Sequence, residues 1–316
     1  MKTIGLDLGG TKCLGVVVDD AGAVLAEQRL PTPRLPRGEG IIDVLTEVAT
    51  HLRAAHPDVV AAGAGVPGLV DGDGVLRMAP NLVGVDRLPV RQQLHDRLGL
   101  QVRVDNDATC ATWGERELGA GHKLDDVVLV TLGTGIGGGI VMGGRLERGA
   151  HGFAGEIGHM VVDPNGPQCP CGQRGCWERY ASGSGLGWLA REEAHAGRAA
   201  RMVALAGGDP DAVMGEHVTA ALSEGDADAA RVMQRFAWWL ALGLANLANL
   251  LDPRVFVLAG GLIEAADVVL PPTRKAFADL VEGAEHRADV EIVAAALGER
   301  AGAIGAALLA RESSST

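Results

Sequence analysis

Strand-like runs open the chain at 3–8, 14–18 and 23–30, the first two largely apolar and the third apolar as far as Ala26 before Glu27-Gln28-Arg29. Such runs predict strands, joined by turns at Gly9-Gly10 and at Asp19-Asp20-Ala21-Gly22. The apolar period then lengthens, predicting a helix over 39–55, before a strand over 59–65 and a loop holding Pro67, Gly68, Asp71 and Asp73. A second helix is expected over 90–98, a strand over 101–104 that enters Asp105-Asn106-Asp107, and a third helix from 108 to about 119. The opening pattern then returns: a strand over 126–132, the turn Gly133-Thr134-Gly135-Ile136-Gly137-Gly138, and a strand over 139–142. Two halves that each begin strand, glycine turn, strand point to an internal duplication of one α/β unit, with the two turns facing each other over a cleft. Further on, 255–258 predicts a buried strand entering Ala259-Gly260-Gly261, and 301–311 a helix rich in Ala and Leu with a frayed tail over 312–316. The most apolar run, 236–251, is too short and too interrupted by Asn246 and Asn249 to span a bilayer, and reads as a core helix ending at Asp252-Pro253.

Composition narrows the class. With 316 residues and 47% hydrophobic residues the chain can bury a large core, and its length favours two domains. A formal net charge of −12 argues against nonspecific binding of nucleic acid or anionic membranes, although local amides and one metal ion can still hold phosphates. No secretory leader precedes the first strand, so a reducing, cytoplasmic setting is expected.

Candidate chemistry concentrates in the segment EIGHMVVDPNGPQCPCGQRGCWE at 156–178. His159, Cys169, Cys171 and Cys176 offer one imidazole and three thiolates, the donor set of a closed tetrahedral zinc site, with Pro170, Gly172 and Gly175 supplying turns. A structural zinc would stiffen a loop bearing two carboxylates, Glu156 and Glu178, well suited to gripping hydroxyls of a small polar ligand. Ordinary buried thiols or a disulfide are the plainer readings; a nucleic-acid zinc ribbon would need a second ligand pair and a basic surface. The turn Asp7-Leu8-Gly9-Gly10-Thr11-Lys12 presents amides, a hydroxyl, a cation and a carboxylate able to hold Mg²⁺ through water. It lacks the Walker spacing, and a plain hairpin turn would look the same. Gly133, Gly135 and Gly138 satisfy the dinucleotide expression GxGxxG, but a strand rather than a helix follows, so a second phosphate turn in a hairpin fits better.

DLGGTK at 7–12, AGVPG at 64–68, DNDA at 105–108, LGTGIGGG at 132–139, EIGH at 156–159 and CPCGQRGCWE at 169–178 resemble the ROK family of sugar kinases and sugar-responsive repressors. The match runs in order from Gly5 to about Ala310; WGE at 113–115 and RYASGSGL after Glu178 look most like the family's bacterial ATP-dependent glucokinases. The resemblance implies an actin-like, ribonuclease-H-like α/β fold with two domains around a cleft. These are residues 1–108 with 300–316, and residues 109–299 with the zinc-binding loop. It implies ATP, Mg²⁺ and a structural Zn²⁺, a sugar as the small-molecule partner, and a homo-oligomer, dimer or tetramer. By position, Asp107 would be the general base for the sugar 6-hydroxyl, while Asn106, Glu156, His159 and Glu178 would hold ring hydroxyls, with His159 also on zinc, and Gly68 would offer backbone contact. Asp7, Gly9, Gly10, Thr11 and Lys12, with Gly133, Thr134, Gly135 and Gly137, would hold the phosphates, and Gly260-Gly261 the adenosine. Asp105 stands where glucokinases often have Glu, and Thr109 where Asn is common, which loosens the sugar assignment. Asp107 as a mere N-cap is the plainer reading, although Asp105 suits a helix cap or a structural carboxylate better.

The implied reaction is transfer of phosphate from ATP to the glucose 6-hydroxyl. Other acceptors are N-acetylglucosamine, N-acetylmannosamine, fructose, mannose or allose, a choice expected to lie in loops such as 69–81. Polyphosphate is a further donor. A sugar-sensing regulator is disfavoured by the acidic charge and by a start only four residues before Gly5.

Overall fold

The first three strand-like runs pair as an antiparallel meander in the computed structural model, which describes residues 1–32, 39–79, 82 and 85–313. These are β1 (Lys2–Leu8), β2 (Lys12–Val18) and β3 (Val24–Pro31); α1 (Glu39–Ala55) then leads to β4 (Val59–Val66), which lies parallel to β1. Three short strands follow, β5 (Leu69–Val70), β6 (Leu76–Met78) and β7 (Asp86–Leu88), forming a small sheet of their own where the sequence suggested only a loop. Local polar bonds make that sheet: Asp71 accepts from the amides of Asp73 and Val75, both at 3.0 Å, and from Arg77 Nε at 2.6 Å. Next come α2 (Val90–Leu98), β8 (Gln101–Asn106) parallel to β4, and α3 (Asp107–Leu118).

The second half repeats the arrangement. β9 (Val127–Leu132), β10 (Ile136–Met142) and β11 (Arg145–Leu146) come before α4 (Glu178–Ala181), α5 (Gly183–His195), α6 (Ala200–Leu205) and α7 (Gly215–Ser223). The core helix α8 (Ala227–Leu251) extends further back than its apolar run because Asp226 caps it, accepting from Ala229 N at 2.8 Å. β12 (Val255–Ala259), α9 (Ala266–Leu280), β13 (Glu291–Ala294) and α10 (Ala301–Ser313) complete the chain. The two large sheets run β3-β2-β1-β4-β8 and β11-β10-β9-β12-β13, the same order of third, second, first, fourth and fifth strand. The duplication read from the glycine turns is thus present in the strand order. Residues 314–316 of the tail lie outside the described residues, as does Asn81.

Contacts divide the chain into two compact units: residues 1–129, 139–155 and 295–316, and residues 130–138 with 156–294. Contacts place α3 in the first unit, beyond the sequence boundary at 108, because α10 packs tightly on it. A Cβ at Gly305 would fall 1.7 Å from Cys110 O, and one at Gly114 would fall 2.5 Å from Ala301 O. The same helix covers β1 and β4, where a Cβ at Gly5 or Gly63 would reach 1.8 or 1.9 Å from the carbonyls of Ala303 and Ala306. This explains a terminal helix made of small residues: only Ala and Gly let its backbone lie so near the sheet. The buried face of α1, with Val48 and Leu52, covers the opposite side at Gly15. Among the described residues no helix is long and apolar enough to cross a membrane.

Candidate functional site

The four predicted metal donors meet in the second unit. One ligand atom from each of His159, Cys169, Cys171 and Cys176 lies within 4.8 Å of all the others. Cys171 and Cys176 sulfurs are 3.6 Å apart, and Cys169 Sγ is 3.8 Å from His159 Nδ1. Tetrahedral zinc with Zn–S near 2.3 Å sets donors about 3.8 Å apart, so the cluster has the right size. Burial pushes the Cys176 thiol up to about 11, with help from Cys171, and burial also pushes Cys169 above the ordinary thiol range. Three sulfurs and one imidazole nitrogen gathered in this way are the donor set of a structural zinc site.

Backbone geometry builds this knuckle. Gly172 N donates to Cys169 O at 3.0 Å, closing a tight turn through Pro170, and Gly172 and Gly175 take φ of 95° and 64°. A Cβ at Gly175 would fall 1.5 Å from Asp163 O, so no other residue fits there. Trp177, wholly buried, anchors the end of the knuckle by donating to Trp239 O at 2.8 Å and filling the notch left at Gly243 on α8.

Glu178 begins α4 directly after that anchor. Its Oε1 lies 3.0 Å from Cys169 Sγ and 3.7 Å from His159 Nδ1, and its Oε2 accepts from Ile136 N at 3.4 Å in the glycine turn. His159 Nε2, the other ring nitrogen, lies 3.9 Å from Glu156 Oε2. Glu156, His159 and Glu178 are thus brought together, with the imidazole between the donor cluster and a carboxylate.

Gly133 and Thr134 of the same turn border a cavity of about 470 Å³. Of the predicted nucleotide residues, Gly133, Thr134 and Gly261 line it. Gly260, the neighbour of Gly261, takes φ of 90°, and its missing Cβ clears Leu132 O, which would be 2.6 Å away. Gly183 N, at the start of α5, donates to Gly133 O at 2.8 Å and fixes the turn's edge. Ser184, Arg191, Met214 and Glu216 also line the cavity and were not foreseen. The only sequence hint was the small-residue run after Glu178, which becomes the N-terminus of α5. A second cavity, of about 420 Å³ near α9 and β13, holds none of the predicted residues.

In the first unit, β8 ends where α3 begins. The cap of α3 is Asn106, neither Asp107 nor Asp105: Asn106 Oδ1 accepts from Thr109 N at 3.1 Å, and Nδ2 donates to Gly68 O at 3.2 Å. Asn106 has the extended backbone of a cap residue (φ −64°, ψ 147°), Asp107 is already helical, and Asp105 lies one residue further back in β8. Asp105 is buried and paired with Arg148 at 2.7 Å, a structural role. Gly68, at φ 104°, passes so close to Met78 O that a Cβ would be 2.2 Å away. Burial raises Asp107 above the ordinary carboxylate range, despite the opposing bond from Ala108 N at 2.9 Å. Burial first, and Asp107 second, push Asp7 up to about 8 against the lowering pull of Lys12. Two mutually repelling carboxylates of this kind form a place for a divalent cation. Gly9 N donates to Lys12 O at 2.9 Å across the first glycine turn, where a Cβ at Gly10 would meet nothing. Lys12 itself pairs with Glu299, and Thr11 O accepts from Thr32 N at 3.0 Å.

Two sheets of one topology, each opened by a glycine turn between its first two strands, define the class: an actin-like, ribonuclease-H-like ATPase fold. A sequence profile of the ROK family matches residues 3–313, and the chain belongs to that family. It is 41% identical over 313 residues to a glucokinase of Streptomyces coelicolor, covering 98% of each chain. The crystal structure of a ROK family glucokinase from Streptomyces griseus in complex with glucose and AMPPNP aligns with TM-score 0.87 at 42% identity, covering 99% of this chain and 100% of that one. An N-acetylmannosamine kinase of Escherichia fergusonii is 33% identical over 311 residues, 98% of this chain and 99% of that one.

Proposed function

We propose that this ROK protein transfers the γ-phosphate of ATP to the 6-hydroxyl of glucose, giving glucose 6-phosphate and ADP. The observation that carries the reading is the second unit's arrangement. One glycine turn borders a nucleotide-sized cavity through Gly133 and Thr134 and, through Ile136 N, meets Glu178, which stands with His159 and Glu156 beside the metal-binding knuckle. Glucokinase relatives matching the whole chain at 41% and 42% identity favour glucose over other hexoses.

The roles divide by residue. In the first unit Asp107 accepts the proton of the 6-hydroxyl as its oxygen bonds to the γ-phosphorus and the bond to the ADP oxygen breaks. A carboxylate raised by burial is a better proton acceptor than one in water, which suits a late transfer. Asn106, oriented by its cap bond and its tie to Gly68, offers its remaining amide hydrogen to a ring hydroxyl. In the second unit Glu156, His159 and Glu178 hold further hydroxyls. Each such group penalises a sugar lacking the matching hydroxyl. Amides of Gly9, Gly10, Thr11, Gly133, Thr134, Gly135 and Gly137 hold phosphate oxygens, and Gly260-Gly261 borders the adenosine. Asp7 would hold Mg²⁺ through water, which would supply charge neutralisation at the phosphates; His159, Cys169, Cys171 and Cys176 would hold a structural zinc that supplies rigidity. Use of ATP and of three thiolates supports a reducing, cytoplasmic setting, and a homodimer or tetramer is the assembly that the family resemblance implies.

Initial rates of ADP release with ATP and Mg²⁺ across glucose, mannose, fructose, N-acetylglucosamine and N-acetylmannosamine test the reading. The highest kcat/KM is expected for glucose. A higher value for an N-acetyl sugar would keep the mechanism and overturn the substrate, and sugar binding without turnover would identify a sensor.

A further inference from the structure

The glycines of the 133–138 turn are not alike. Gly133 has room for a side chain, since a Cβ there would come no nearer than 4.0 Å to Gly135 O. Gly135 does not. Its φ lies outside the left-handed region, so backbone conformation does not demand glycine there. The space its Cβ would occupy is taken by Glu178 Oε2, at 2.4 Å. The same oxygen accepts from the next amide, Ile136 N, at 3.4 Å. Glu178 cannot retreat easily: its side chain is only 16% exposed, its Oε1 faces Cys169 and His159, and its backbone is fixed by the Trp177 anchor.

We propose that Gly135 is a determinant of sugar affinity, because it leaves the berth that holds the Glu178 carboxylate against the phosphate turn. The turn and the hydroxyl-binding carboxylate are then one rigid piece, and sugar binding at Glu178 fixes the amides of the turn before the nucleotide's phosphates arrive. The family pattern alone suggests the opposite assignment, a glycine kept small for the approach of phosphate. This inference rests on the sugar-binding role of Glu178 proposed above.

A double-mutant cycle read by calorimetric glucose binding, without nucleotide, tests it on the zinc-loaded protein. In Gly135→Ala the added methyl meets only the end of the Glu178 side chain and no backbone, so the variant is expected to fold and to keep its zinc while the forced shift of that carboxylate raises its glucose Kd by about tenfold or more. Glu178→Asp withdraws the carboxylate by one methylene and frees the berth. In that background the same Gly135→Ala change is expected to raise Kd less than about threefold. The inference is overturned by a Gly135→Ala protein that binds glucose as wild type does, or by equal losses in both backgrounds. Wild-type protein that binds no glucose would overturn the functional reading itself, and this inference with it.

Discussion

Asp7 and Asp107 are acids kept in an environment that disfavours their charge. The carboxyl of Asp7 rises from its ordinary 3.8 to about 8, chiefly through burial. A group whose folded pKa is raised binds its proton more tightly in the folded state. Its stabilising contribution is therefore complete below about 4 and is lost as pH rises through about 8. Replacing it with a neutral amide removes that loss. Asp7→Asn is expected to raise the Tm of the magnesium-free, nucleotide-free protein above that of wild type at pH 8.5, while turnover disappears. A lowered Tm would mean that the carboxylate is satisfied rather than strained. Asp107 must be ionised to accept a proton, and its pKa is also raised by burial. The kcat/KM profile should therefore fall on the acid side at a pH above the ordinary carboxylate range, with loss of activity as pH falls. In Asp107→Ala, kcat is expected to drop by about 10³-fold or more with glucose binding still measurable, because positioning survives the loss of the base. A drop of less than tenfold would assign the base elsewhere.

At the scale of elements, the zinc knuckle and the Glu115 junction show two ways in which distant backbone is tied down. In the knuckle, turns set the sulfurs and the metal locks the turns, so Cys171→Ser should lose zinc and glucose affinity together. Metal content and calorimetry on the same sample check this, and a zinc-free variant with wild-type affinity would separate the two. Glu115 on α3 is fully buried and accepts from the amides of Ala120, Ala296 and Leu297 at 2.8, 3.0 and 2.7 Å. Truncation strands three donors, and Glu115→Ala is expected to cost about 3 kcal/mol or more in urea unfolding. The knuckle was legible in sequence because its four donors lie within eighteen residues and their types are diagnostic of zinc. Glu115 was not, since two of its three partners lie 181 and 182 residues away and nothing local marks a carboxylate as buried. The small β5-β6-β7 sheet escaped for a related reason: its strands are two or three residues long and depend on the side-chain bonds of Asp71. The cap of α3 was read as an aspartate because Asp105, Asn106 and Asp107 are all good caps, and only the folded chain shows that Asn106 Oδ1 is the oxygen that accepts from Thr109 N.

For the whole molecule, the duplication was readable because two glycine turns recur in equivalent contexts, and the two sheets bear this out strand for strand. Unit membership was harder to read. It depends on the close seating of α10 against α3, β1 and β4, which is visible in sequence only as a helix of unusually small residues. The lining of the nucleotide-sized cavity was half legible: the glycines announced themselves, whereas Arg191, Met214 and Glu216 come from helix faces and loop ends with no motif. The functional account joins these pieces as one reaction with one preferred acceptor. Its most direct test is a competition in which the protein receives ATP, Mg²⁺ and equal concentrations of glucose and N-acetylmannosamine, with the products resolved by ³¹P NMR at low conversion. Glucose 6-phosphate as the dominant product, formed one for one with ADP, is the predicted result. N-acetylmannosamine 6-phosphate in excess, or ADP formed without any sugar phosphate, would contradict the account.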